Sequence, residues 1–186
     1  HHPEVERIVT ELARNHVELS EESVGRHGRL MKDVAAALWQ EETAMPEAAR
    51  RAFQLAIQAY GRGDRNHFYP AINTAAIEFL LGRPEHRETA NRALESARAV
   101  AHNDPWAAST IADALFLLGD DEAAATEWRS SLRNRPPLHK RSVLRQIRLL
   151  LRGVNDDRRR FWGRDRCVEV FGEAEVREVF VEWFGG

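Results

Sequence analysis

The chain has a single cysteine, Cys167, so it can form no internal disulfide and no multi-cysteine zinc site. No apolar run approaches the roughly 20 residues that a membrane span requires. The opening His1-His2-Pro3-Glu4 lacks the basic-then-apolar pattern of a signal peptide. These absences point to a soluble protein of a reducing compartment, the cytoplasm, with no membrane partner. His1 and His2 read as the remnant of an expression tag covering residues 1–3. Glycine (11) and proline (7) are too few for a linker or a disordered tail. Lysine is nearly missing: of 27 basic residues only Lys32 and Lys140 are lysines. Arginine bias of that kind follows from GC-rich coding and favours a bacterial source, so any one arginine is weak evidence of function.

The motifs of common catalytic sites are also missing. There is no H-E-x-x-H, no histidine pair at i, i+4, no Gly-rich phosphate loop and no G-x-S-x-G. The eight histidines, His1, His2, His16, His27, His67, His86, His102 and His139, are scattered. Arg164 and Arg166 near Cys167 would favour a thiolate, but no base partner is identifiable, and ordinary packing is expected of it. Arg62-Gly63-Asp64 is too short a string to mean anything. The expectation is therefore a non-enzymatic protein with no metal and no cofactor.

What is present is helix. In 186 residues, 43% of them apolar, apolar side chains recur at three- and four-residue spacing. Helices are expected over about 4–19, 21–41, 46–60, 70–82, 84–102, 105–119, 120–133 and 136–152. One or two shorter ones should follow in 154–186, of which 173–184 is the clearest. Proline at a first turn, Asp or Ser at a cap and Gly at an end punctuate them. No alternating run or Asn-Gly turn suggests a strand.

The small net charge of −2 conceals an uneven distribution. Residues 1–128 carry 13 Lys/Arg and 21 Asp/Glu, residues 129–166 carry 13 and 3, and residues 167–186 carry 1 and 5. A basic segment of net +10 between acidic ones predicts a positive surface with an acidic counterpart. Within it Arg141, Arg145, Arg148 and Arg152 are spaced 4, 3 and 4, which places them on one helix face. Two readings stay open. The face binds an acidic or phosphorylated protein, or it is a solvated face answered by the acidic segment 167–186. Nucleic acid is disfavoured, because no aromatics interleave the arginines and the pI is near 6.5.

The chain also repeats itself. Residues 74–82, Thr74-Ala75-Ala76-Ile77-Glu78-Phe79-Leu80-Leu81-Gly82, align with 111–119, Ile111-Ala112-Asp113-Ala114-Leu115-Phe116-Leu117-Leu118-Gly119, at a 37-residue offset. Each segment is a helix that opens near a proline, ends in Leu-Leu-Gly and leads into a second helix. Taking Pro105 as the start of a tetratricopeptide repeat of about 34 residues, Ala112, Ala124 and Ser131 fall where small residues are needed. Gly119 falls at the turn, Trp128 at the large aromatic position and Pro136 at the terminal proline. Small residues let the paired helices approach, and the aromatic fills the space between repeats. The expected fold is all-α, a right-handed solenoid of antiparallel helical hairpins over 4–153, with 154–186 as a C-terminal cap. The 68–103 repeat is looser, the 22–63 segment is a degenerate hairpin, and helix 136–152 opens a fourth repeat or acts as a cap.

Four strings, Gly28-Arg29-Leu30-Met31-Lys32-Asp33, Tyr69-Pro70-Ala71-Ile72-Asn73-Thr74-Ala75-Ala76, the run from Trp106 to Asp120, and Ser142-Val143-Leu144-Arg145-Gln146-Ile147-Arg148, occur in one order. Together they resemble the TRAF-binding, tetratricopeptide-like domain of apoptosis-signal-regulating MAP kinase kinase kinases and of many bacterial proteins. The resemblance spans about 22–150, and departs from the family pattern at Ala71 and Asp113, where glycine and glutamate are usual. It implies a regulatory scaffold that binds a protein segment, often beside a fused signalling or effector domain. It also implies that the first helix of each hairpin lines a concave groove. The groove residues would then be Tyr69, Ile72, Asn73, Ala76 and Phe79, followed by Trp106, Ser109, Thr110, Asp113 and Phe116. Asn73 could hold a peptide backbone through its amide, or bond nearby helix backbone instead. The rival function is a regulatory sensor that binds a nucleotide or other anionic ligand at the basic face.

Overall fold

A computed structural model describes residues 21–39, 44–64 and 67–180. Among these residues every regular element is helical. The helices are α1 (Glu21–Leu38), α2 (Glu47–Tyr60), α3 (Phe68–Leu80), α4 (His86–Val100), α5 (Pro105–Leu118), α6 (Asp121–Leu132), α7 (Pro137–Arg152), α8 (Asp157–Phe171) and α9 (Glu173–Val179). The helix expected over 4–19 lies outside the described residues.

Local chemistry sets the boundaries. Asp104 caps α5 by accepting from the backbone N–H of Trp106 at 2.7 Å, and Pro105 fills the first turn, where its missing N–H costs nothing. At the other end Gly119 takes φ +92°, with Gly119 N–H donating to Phe116 O at 3.1 Å and Asp120 N–H to Leu115 O at 3.0 Å. Gly82 closes α3 in the same way: φ is +69°, Gly82 N–H donates to Phe79 O and Arg83 N–H to Glu78 O. The 37-residue self-match thus corresponds to two copies of one C-terminal cap, which glycine adopts without the Cβ penalty. α3 begins at Phe68, before Pro70, because His67 Nδ1 accepts the Tyr69 N–H at 3.2 Å.

Each of α1 to α6 packs chiefly on its neighbours in sequence, and α3 also touches α5. Close approach rests on fully buried alanines, among them Ala75, Ala76, Ala90, Ala93, Ala112 and Ala124. Phe116 and Trp128, ring centroids 5.7 Å apart, fill the space between α5 and α6. One buried cluster runs from α3 to Phe180, and a second joins α1 and α2 to Ile77, Leu80 and Leu149.

α7 breaks the sequence of neighbours. Its main backbone partners are α3, α8 and α9 rather than α6. At its C-terminal end Gly153 sits so close to α3 that a Cβ there would lie 2.7 Å from Leu80 Cδ2 and 2.9 Å from Phe79 Cε1. The C-terminal end of α7 therefore packs on α3. Its apolar side, with Leu144, Ile147, Leu150 and Leu151, joins the core.

The region after 154 holds more helix than its weak periodicity suggests. α8 is 15 residues long, and the described part of the clearer 173–184 stretch is helical only to Val179. Polar ties add to the apolar contacts that Cys167, Val168 and Phe171 make with the core. Asp156 caps α8, Arg159 grips Asp121 with bonds of 2.7–3.0 Å and also donates to Phe116 O, and Trp162 Nε1–H donates to Glu122 at 3.0 Å.

Candidate functional site

α1, α3, α5 and α7 enclose a groove of about 950 Å³, with Glu178 and Val179 of α9 at one end. The arginine row of α7 and side chains of α1, α3 and α5 line one space. Tyr69, Asn73, Trp106, Thr110, Asp113, Arg141, Arg145, Arg148 and Arg152 all line it. The residues expected on the basic face and those expected in the groove, distinct in sequence, line the same cavity.

On the groove floor the Lys32 ammonium, one turn along α1 from Gly28, donates to Asn73 Oδ1 and, at 2.9 Å, to Gln146 Oε1. Both acceptors are neutral, and no carboxylate among the described residues lies within ion-pairing distance. Burial lowers the Lys32 pKa to about 8, against the pull of Asp33 and Asp113. The residue keeps part of its surface open to the groove, which favours the charged form. Asp113 is 7% exposed and accepts from Trp128 Nε1–H at 2.9 Å. Burial raises its pKa to about 7, although the Trp128 bond and Lys32 both oppose that shift.

Asn73, 4% exposed, is already engaged: its Oδ1 accepts from Lys32 and its Nδ2–H donates to Tyr69 O at 2.8 Å. Its amide orients the lysine and bonds its own helix. The bond to Tyr69 O is the local alternative to a peptide clamp.

The wall is cationic but uneven. Arg141 donates two bonds to Glu178, at 2.8 and 2.9 Å, so the chain's own acidic segment answers this arginine. Arg152 lies over the Trp39 ring at 4.8 Å from its centroid. Arg145 is exposed and has no hydrogen bond or ion pair among the described residues. At the mouth Trp106, 44% exposed, stacks on His139 with centroids 4.0 Å apart and planes 23° apart. His139 Nε2 lies 3.2 Å from Ser109 Oγ. Burial and Arg135 lower the His139 pKa.

Not every expected groove residue reaches the groove. Ile72 and Ser109 line it, whereas Ala76 and Phe116 are wholly buried in the core, and Phe79 packs against Gly153 and His86. Cys167 is 2% exposed and its thiol pKa is pushed up by burial, so the nearby arginines do not activate it. Sequence reasoning missed Lys32 and Gln146, which line the groove, and did not single out His139, which backs Trp106. Lys32 did carry a signal: in a chain whose cations are otherwise almost all arginine, a lysine marks a place where a compact ammonium is needed. Among the described residues no group of three or more His, Cys, Asp or Glu could hold a metal ion, and no helix is long and apolar enough to cross a membrane. No protein-family model, curated protein or solved structure matches the chain.

Proposed function

We propose that this chain is a non-enzymatic regulatory scaffold that takes a protein segment of acidic character into the groove between α1, α3, α5 and α7. The observation that carries this reading is the convergence on one 950 Å³ groove of an arginine wall, a lysine on the floor and the exposed Trp106 ring. Arginine suits acidic side chains because its planar fork offers two donors to one carboxylate. Trp106 adds an apolar platform that loses little on exposure and gains when covered. In this reading α1–α2, α3–α4 and α5–α6 are tetratricopeptide-like hairpins stacked as a right-handed solenoid, with α7 crossing its inner face. The repeated glycine caps and the buried alanines support it, as does the resemblance to the TRAF-binding, tetratricopeptide-like domains. In such a scaffold a fused or associated signalling domain would read out occupancy, in the cytoplasm.

The test is a peptide array on the full chain, followed by titration of hits by fluorescence anisotropy at low and high salt. The expected hits carry acidic residues next to an apolar one. Trp106→Ala should weaken them at both salt concentrations and Arg145→Glu mainly at low salt, because exposed charges are screened beyond about 10 Å at 0.1 M salt. Hits untouched by both variants would remove the groove as the site.

A second reading rests on the groove's volume. About 950 Å³ is at the upper end of small-ligand sites, and its convergent cations would suit a nucleotide or another anionic molecule. Thermal stabilisation of the chain by ATP or GTP, with no peptide hit, would favour this sensor over the scaffold.

A further inference from the structure

We propose that Lys32 and Arg145 form a subsite for a single carboxylate, the side chain of a glutamate or aspartate in the bound segment, with Asn73 and Gln146 as the positioning residues. This deepens the groove reading above and rests on it.

Lys32 carries a charge without an ion-pair partner among the described residues. A cation withdrawn even partly from water is ordinarily paired, because desolvation is costly. Lys32 is held by two neutral amide oxygens and has no carboxylate within ion-pairing distance among the described residues. An ammonium has three N–H groups, so one is left over, on a side chain that lines the groove. Gln146, which fixes Lys32 from α7, is the chain neighbour of Arg145. Arg145 lines the same groove and is itself without a partner among the described residues. A carboxylate taken into the groove would have the spare Lys32 N–H and the Arg145 guanidinium as donors.

The surroundings select a monoanion. Asp113 and Asp33 both act electrostatically on Lys32. Asp33, Asp104 and Asp113 line the same groove, and a phosphate dianion would meet more repulsion from them than a single carboxylate does. The Arg141–Glu178 pair provides a precedent within the chain: a glutamate carboxylate already accepts two bonds from the neighbouring arginine of the same row.

The chain carries its own reporter, since Lys32 and Lys140 are its only lysines. The full chain is labelled with 13Cε-lysine and titrated with N-acetyl-glutamate amide, a monocarboxylate. N-acetyl-glutamine amide and N-acetyl-phosphoserine amide are run in parallel. The glutamate derivative should shift the Lys32 signal saturably and raise its titration midpoint, leaving Lys140 unmoved. The glutamine derivative should do nothing, and the phosphoserine derivative should bind more weakly. Arg145→Gln, at an exposed position, should raise the concentration for half-saturation about tenfold, as loss of one charge-assisted bond does. An equal response at both lysines, a stronger phosphoserine response or an unchanged Arg145→Gln titration would overturn the subsite. Array hits that lack acidic residues and survive Lys32→Met would overturn it too, while leaving the groove as a peptide site. A Lys32 response to the glutamate derivative without any array hit would uphold the subsite and discard the segment-binding scaffold.

Discussion

Gly28→Ala tests whether α1 is held where Lys32 needs it. In an exposed helix interior the change would stabilise, because glycine costs up to about 1 kcal/mol relative to alanine. Here a Cβ on Gly28 would lie 2.6 Å from Tyr60 Cε1 and 2.7 Å from both Cδ1 and Cζ. Carbon atoms pack at about 3.5–4.0 Å, so the contact is roughly 1 Å too short. The obstacle is a rigid ring, 1% exposed and edge-on to Tyr69 at 6.3 Å between centroids, with no flexible end to swing aside. α1 must then move off α2, and Lys32, one turn further along α1, moves with it, away from Asn73 and Gln146.

Gly25→Ala supplies the control. Its Cβ would meet Tyr69 Cε1 at 3.6 Å, an ordinary contact, on the same helix. Comparing the two variants removes the common gain in helix propensity and leaves the overlap, about 1–3 kcal/mol of overpacking. For a chain of this size that is a gap of roughly 2–12 °C in Tm. The assay is thermal melting by circular dichroism, with the Lys32 13Cε titration midpoint as a local readout. Gly28→Ala should melt below Gly25→Ala and return the Lys32 midpoint from about 8 toward its ordinary value of 10.5. Equal melting temperatures, with Lys32 titrating as in the parent, would refute the packing of α1 on α2 described here.

Further outcomes are expected elsewhere. Gly119→Ala places a side chain at φ +92°. It should cost about 1–2 kcal/mol by chemical denaturation, with no steric contribution, since nothing lies within 4 Å of the new Cβ. Ala124→Leu, at a fully buried position between helices, should lose about 1–3 kcal/mol, and an unchanged melting temperature would discredit the repeat register. For Asp113 the folded pKa of about 7 lies above the ordinary 3.8. Its contribution is therefore complete below about pH 4 and is lost as pH rises through 7. Asp113→Asn should flatten the urea midpoint over that window, and an unaltered slope would deny the burial assigned to this carboxyl. Arg141→Gln should lower stability by no more than about 1 kcal/mol, because both partners of its ion pair with Glu178 are about half exposed. A loss of several kcal/mol would mean that the pair anchors α9.

What the sequence determined by itself is what the chain encodes within a few residues. The helices from 46 to 152 follow from apolar spacing and from the caps at Asp104, Asp120 and Gly119. The left-handed turn at Gly119 follows from the same local grammar, because only a residue without Cβ takes that φ freely. The 4, 3, 4 spacing correctly put Arg141, Arg145, Arg148 and Arg152 on one side of a helix. What that side faces was not legible, nor was the depth of Lys32, since the contacts that decide both are far apart in sequence. Lys32 meets Asn73 across 41 residues and Gln146 across 114. Periodicity reports which face of a helix is apolar, but not the angle at which the chain leaves Pro136-Pro137. Gly153 packs against Phe79 and Leu80 and seats the end of α7 on α3 rather than on α6. The arginine row and residues of α1, α3 and α5 thereby line one cavity. Phe116, a groove residue as the family resemblance implies, packs instead against Trp128 of α6 in the core, where the side chain has no surface left to offer a ligand.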